Sequence, residues 1–227
     1  MSFINFFFSG ICHQIPAHCF YYGGHPLPLC ARCMGTFSGA LVALLTLWAM
    51  GQGRRSRLPS WQVGGLLIAA TGFWALDGAN SLARSFWGWH GLYTPSNTLR
   101  LFTGIGSGLA LGVVLYPIYH FAMWGGTDGR RVLDRGWQIG VLLLAEVALA
   151  GIILAWRSAP FFLWLVILVG AVVTVFSTVN AALIVLLRKK EGFAGCWMQI
   201  VPYLVIGLVC GLVETGLMAV LRRMSMG

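Results

Sequence analysis

Acidic side chains are almost missing from this chain. Six of 227 residues are Asp or Glu, fifteen are Lys or Arg, and charged residues make up 9% of the whole. Soluble domains carry about 25% charged residues. So few charges cannot cover a 24.7 kDa globule facing water, which excludes a water-soluble fold. A hydrophobic content of 58% and a mean hydropathy of +0.81 exclude a disordered chain as well. Internal repeats, low-complexity stretches and long polar linkers are also lacking, so a single membrane domain is expected. No basic residue precedes the apolar opening from Met1 to Phe8, and a cleavable leader needs one. This segment is therefore expected to be retained, lying at the membrane interface or re-entering it.

A membrane-spanning helix needs about 20 largely apolar residues. Six runs qualify, over residues 34–50, 62–80, 99–123, 137–156, 161–187 and 198–221. The expected fold is an all-α polytopic membrane bundle of about six helices over residues 34–227, preceded by a Cys/His-rich segment over residues 1–33. Gly104, Gly106, Gly108 and Gly112 give the third run a face suited to close helix packing. Lys and Arg in short loops orient such a bundle. Arg54, Arg55, Arg57, Arg130, Arg131, Arg135, Arg188, Lys189 and Lys190 fall on one side. Arg32, Arg84, Arg100, Arg157, Arg222 and Arg223 fall on the other. Nine against six places both termini outside and the three basic loops in the cytoplasm. The net charge of +9 then reflects topology and lipid contact rather than nucleic-acid binding.

Four of six cysteines and three of five histidines lie in the first 33 residues. Cys30 and Cys33 form a C-x2-C, the spacing of a zinc knuckle. Cys12 and His13 are the natural second pair, and His18, Cys19 or His25 could complete the set. A three-ligand site with an open position is the other arrangement open to these residues. The same C-x2-C also permits thiol–disulfide chemistry. Cys30 precedes a helix start, where the dipole and Arg32 favour a thiolate. Attachment of a c-type haem is excluded, because Cys33 is followed by Met34 rather than His. Cys196 and Cys210 read as ordinary membrane cysteines.

Ionisable groups inside spans are costly and are usually functional. Asp77 and Arg100 are expected at the outer face, able to form an ion pair. Ser96 is a plausible N-cap, and Asn97, Arg100 and Thr103 share one helix face. Asp77, Asn97, Arg100, Thr103 and Glu214 are the expected polar pocket. Glu146 lies mid-membrane with no obvious partner. Asn180 reads as a packing hydrogen-bonder, and His90 and His120 as interfacial residues.

The stretches Cys12-His13-Gln14-Ile15-Pro16 and Pro28-Leu29-Cys30-Ala31-Arg32-Cys33-Met34-Gly35 resemble the signature of the DUF2085 family, membrane proteins of unknown function found mainly in prokaryotes. Asp77-Gly78 and the stretch from Ser96 to Gly104 resemble its further blocks. The likeness covers roughly residues 10–115. Two departures, His18-Cys19 and Met34, take His18 and Cys19 out of the shared set of Cys12, His13, Cys30, Arg32 and Cys33. The resemblance implies no activity. It does imply that the N-terminal cluster and the Asp77–Arg100 region form one system. The expectation is a prokaryotic cell-membrane protein with an extracytoplasmic metal site, zinc or another transition metal, held by Cys12, His13, Cys30 and Cys33 above the polar pocket. One alternative is a membrane thiol–disulfide oxidoreductase using Cys30 and Cys33. A second is a cation-coupled transporter using Asp77, Glu146 and Glu214.

Overall fold

A computed structural model describes residues 2–87, 91–156 and 158–226. His90 and Arg157 lie outside the described residues. A short helix α1 (Ser2–Ser9) leads to a 3-10 turn at Pro16–His18 and a hairpin of β1 (Cys19–Tyr22) and β2 (His25–Cys30). Six long helices follow: α2 (Ala31–Ala49), α3 (Trp61–Trp87), α4 (Asn97–Met123), α5 (Gly136–Ala155), α6 (Phe161–Leu187) and α7 (Trp197–Met226). Two short strands, β3 (Arg55–Arg57) and β4 (Asp128–Arg131), lie in the loops after α2 and α4.

Five of these helices, α2, α4, α5, α6 and α7, are long and apolar enough to cross a membrane. The sixth expected run forms the helix α3, which at 27 residues has the length but falls short of the other five in apolar composition. Its polar residues Asp77, Asn80 and Ser81 are buried, while Leu66, Ile68, Phe73 and Leu76 face outward. The helix is thus polar on the inside and apolar on the outside, which lowers its average hydropathy without exposing charge to lipid.

Local chemistry accounts for the boundaries. Gly23 and Gly24 both have positive φ, as a two-residue hairpin turn between Tyr22 and His25 requires. Helix α2 ends in a Schellman turn: Gly51 adopts φ +65°, its N–H donates to Trp48 and that of Gln52 to Leu47. The Ser96 hydroxyl caps α4 by accepting from the Leu99 N–H at 3.1 Å, as expected from the sequence.

The central contact is α2 against α4. A Cβ on Gly104 or Gly108 would overlap the carbonyl oxygen of Arg32 or Thr36, and one on Gly112 would stand 2.7 Å from the Ala43 Cβ. On the other side, a Cβ on Gly35 would meet the Leu101 carbonyl oxygen at 2.5 Å. Backbone therefore touches backbone along both helices, the packing mode that works in lipid. Helix α3 lies on α4, α5 and α6 lie on α2, α7 on α6 and α1 on α7.

The two ends of the bundle differ. At one end the three basic loops meet: β3 pairs with β4 in parallel, and Trp124 bridges to Ala194. Arg55 pairs with Asp134 at 2.7 Å, and the Arg54 guanidinium covers the Trp124 ring. At the other end lies the N-terminal segment. Arg222, near the end of α7, donates to the carbonyls of Ser9, Cys12 and His13 at 2.6–3.1 Å. Both termini therefore share one face and the basic loops the other.

The α2–α4 contact yields a test. Gly108→Val should lower stability by about 1–3 kcal/mol or more through overpacking. Gly64→Val, whose Cβ meets nothing within 4 Å, should leave it nearly unchanged. Thermal unfolding of the two variants in the same detergent compares them directly.

Candidate metal centre

The site is assembled where β2 runs into α2. Two prolines hold β2 extended, and Cys30 at φ −64° and ψ 160° forms the N-cap of α2. That places Ala31, Arg32 and Cys33 in the first helical turn, so the C-x2-C spans the helix start. Cys33 thus belongs to α2 rather than to the segment before it. Cys12 comes in from the other side, after α1. Gln14 has φ +53° and turns the chain so that its own N–H points back at the Cys12 sulfur, 3.5 Å away. The Cys30 N–H donates to the same sulfur at 3.2 Å. The Gln14 side chain ties this loop to the Asn5 and Pro28 carbonyls.

As a result the sulfurs of Cys12, Cys30 and Cys33 all lie within 4.8 Å of one another. As free thiols they share hydrogen bonds with one another. The neighbouring thiols of Cys12 and Cys33 hold Cys30 well below the ordinary thiol range, against the opposing effect of burial. The same sharing, with burial, pushes Cys12 up to about 11. A cavity of about 140 Å³ lies beside them, lined among others by His13, Gln14, His18, Arg32 and Ser81.

The other expected ligands fare differently. His13 lines the cavity but is not part of the three-sulfur group; its carbonyl serves Arg222. His18 also lines the cavity, and burial, then the charge of Arg100, holds its imidazole below the usual range. Cys19 sits opposite Cys30 in the hairpin, and its thiol donates to the Ile15 carbonyl at 3.3 Å. Burial pushes that thiol up to about 12.

A polar network lies beside the sulfurs. Arg32 Nε donates to Asp77 Oδ2 at 2.9 Å, and Nη2 donates to the same oxygen, to the Asp77 carbonyl at 3.0 Å and to Ser81 Oγ at 3.0 Å. The Tyr93 hydroxyl donates to Asp77 Oδ1 at 2.7 Å. Asn80 positions that tyrosine by accepting from the Leu92 N–H and donating to the Tyr93 carbonyl. The partner of Asp77 is therefore Arg32, not the expected Arg100. Arg100 instead donates to Asn97 Oδ1 at 2.8 Å, and Asn97 Nδ2 donates to the Ala17 carbonyl, tying α4 to the N-terminal segment. The Thr103 hydroxyl donates to the Arg100 carbonyl in its own helix. Glu214 does not join this network: its Oε2 accepts from Asn180 at 3.2 Å across the α6–α7 contact. Asn180 thus does the hydrogen-bonding between helices expected of it.

Arg32 is legible in the sequence beside the thiols, but its carboxylate partner is not, and neither are the roles of Tyr93, Asn80 and Ser81. Ser81 carried a signal: it lies four residues after Asp77, one turn along the same helix face.

A helical membrane bundle with three thiols gathered at one end defines the class. Residues 12–114 match the family described as "Predicted membrane protein (DUF2085)", so the sequence resemblance holds over this segment. The chain is 32% identical over 113 residues to an uncharacterized protein of Methanocaldococcus jannaschii, an alignment covering 49% of this chain and 65% of that protein. It is 28% identical over 116 residues to an uncharacterized protein of Methanothermobacter thermautotrophicus, covering 51% of this chain and 94% of that one. No solved structure matches the chain. Cys12, Cys30, Cys33, Arg32, Asp77, Tyr93, Asn97 and Arg100 all fall inside the family segment.

Removing one member of a buried ion pair strands the other and costs about 3–5 kcal/mol. Asp77 is 1% exposed and Arg32 15%. Asp77→Asn should therefore destabilise the protein by about 3 kcal/mol, and Tyr93→Phe by about 1 kcal/mol. Denaturation midpoints measured in one lipid or detergent system should fall in that order.

Proposed function

We propose that the N-terminal face of this membrane protein is a metal-binding site built on Cys12, Cys30 and Cys33. The observation that carries the reading is the convergence of the three sulfurs from two separate parts of the chain. Small movements would bring them to a tetrahedral ion, which thiolates hold at about 2.3 Å. Two backbone N–H groups directed at the Cys12 sulfur support it further, since such hydrogen bonds favour a thiolate ligand. A donor set of thiolates alone suits a soft or borderline ion, Zn²⁺ or Cu⁺. Binding would release the thiol protons. The fourth position is left to His13, to His18 or to a small exogenous ligand in the adjoining cavity. The Arg32–Asp77–Tyr93 network fixes the first turn of α2 and so keeps Cys30 and Cys33 in register.

The site is assigned to the outer face of a prokaryotic cell membrane. Arg32, Arg100 and Arg222 of that face are engaged with Asp77, Asn97 and three backbone carbonyls. At the opposite end Arg54, Arg55 and Arg130 are engaged as well, so the support for this sidedness is the larger number of basic residues in the three loops there.

Protein purified without oxygen should carry about one Zn²⁺ or Cu⁺ per chain, and Cys30→Ser/Cys33→Ser should lose it. Metal-free wild type with reduced cysteines would contradict the proposal. Metal-free wild type with a Cys30–Cys33 disulfide, seen by thiol trapping, would favour a thiol–disulfide oxidoreductase instead.

A further inference from the structure

Five of the six acidic residues have a visible occupation. Asp77 pairs with Arg32, Asp128 with Arg130, Asp134 with Arg55, Glu214 accepts from Asn180, and Glu191 is exposed to solvent. Glu146 has none. It lies midway along α5, is 4% exposed, and neither carboxyl oxygen has a hydrogen-bond partner among the described residues. Across from it is Gly39 of α2, where a Cβ would stand 3.3 Å from Glu146 Oε2 and 3.0 Å from the Ile105 carbonyl of α4. The carboxyl therefore occupies the junction of three helices, in a space that the glycine keeps open.

We propose that Glu146 is a proton-binding site in the membrane interior, a carboxyl group that takes up and releases a proton within the bundle. An ionised carboxylate without a partner in hydrocarbon is several kcal/mol too costly to persist, so the resting group carries its proton. A metal cation is disfavoured because it needs several oxygen ligands. The nearby Ser38 hydroxyl is committed to the Met34 carbonyl of its own helix. A role in helix adhesion does not account for the residue either. Glu214 shows what adhesion looks like, a hydrogen bond across two helices, and Glu146 makes no such bond.

The ionisable groups of the facing helices lie elsewhere. On α2, Arg32 is bound to Asp77, and Cys33 belongs to the sulfur cluster. On α4, Arg100 is bound to Asn97, Tyr116 donates to the Gly53 carbonyl, His120 contacts the Tyr116 carbonyl, and Tyr119 packs in the cluster at that same end. Gly39 is six residues beyond Cys33, about 9 Å along the helix, so this site is separate from the metal centre and independent of it.

Infrared spectra of the full chain in lipid test the assignment. Wild type should show the carbonyl stretch of a protonated carboxyl, shifted in D₂O and lost in Glu146→Gln. Identical spectra for the two proteins, or a band that does not shift in D₂O, would overturn it. Should the variant not fold, wild type alone decides with N,N′-dicyclohexylcarbodiimide. The carboxyl O–H adds across one C=N bond, and the O-acylisourea rearranges to an N-acylurea with no further reactant. Peptide mapping should find the adduct at Glu146, falling as pH rises. An unmodified Glu146, or labelling independent of pH, would overturn the proposal.

Discussion

The close approach of α2 to α4 is the constraint on which the rest of this molecule depends. Lipid tails are as apolar as leucine, so helices in a membrane gain little from burying apolar surface against each other. They gain from contact, and glycine allows the most of it. Gly35 and Gly39 on α2 meet Leu101 and Ile105 of α4, while Gly104 and Gly108 meet the carbonyls of Arg32 and Thr36. Gly104 thus rests against the very turn that carries Cys30, Arg32 and Cys33. Pinning that turn fixes two sulfurs and one guanidinium at once. Six residues further on, the same interface leaves the gap that Glu146 fills.

Scarcity of charge makes each buried ion informative. Arg32 and Asp77 join α2 to α3, and Tyr93 closes the second oxygen of the carboxylate. The pair also explains why α3 can be polar without exposing charge to lipid, since its polar side chains point at Arg32 and the loop after it. Arg222 works differently, as a cation at the carboxyl end of α1. It holds α7 to the loop that carries Cys12. The N-terminal segment is therefore clamped on two sides, by Arg222 of α7 and by Asn97 of α4.

Much of this was legible in the sequence. The apolar runs marked the long helices, because a lipid-facing helix must be apolar on its exposed side. The C-x2-C marked two neighbouring thiols at a helix start, and the Ser96 cap was readable from residue type and position. The pairing of Asp77 was misjudged. Arg100 and Arg32 sit at similar depth, and spacing along the chain says nothing about which neighbouring helix presents its guanidinium. Glu214 was drawn into the pocket for the same reason: depth in the membrane is readable from span counting, but position around the bundle is not. The strands β3 and β4 pair residues more than 70 apart in the chain, with too few residues in each to leave a period-2 pattern. The convergence of Cys12 on the C-x2-C depends on the turn at Gln14, a left-handed residue that no local rule requires to be glutamine.

In the proposed site three thiols from two chain segments form one coordination shell. X-ray absorption at the edge of the metal bound to the wild-type protein reads that shell directly. The proposed site should give a first shell dominated by sulfur at about 2.3 Å, with at most one lighter neighbour. A first shell made of nitrogen and oxygen alone would contradict it.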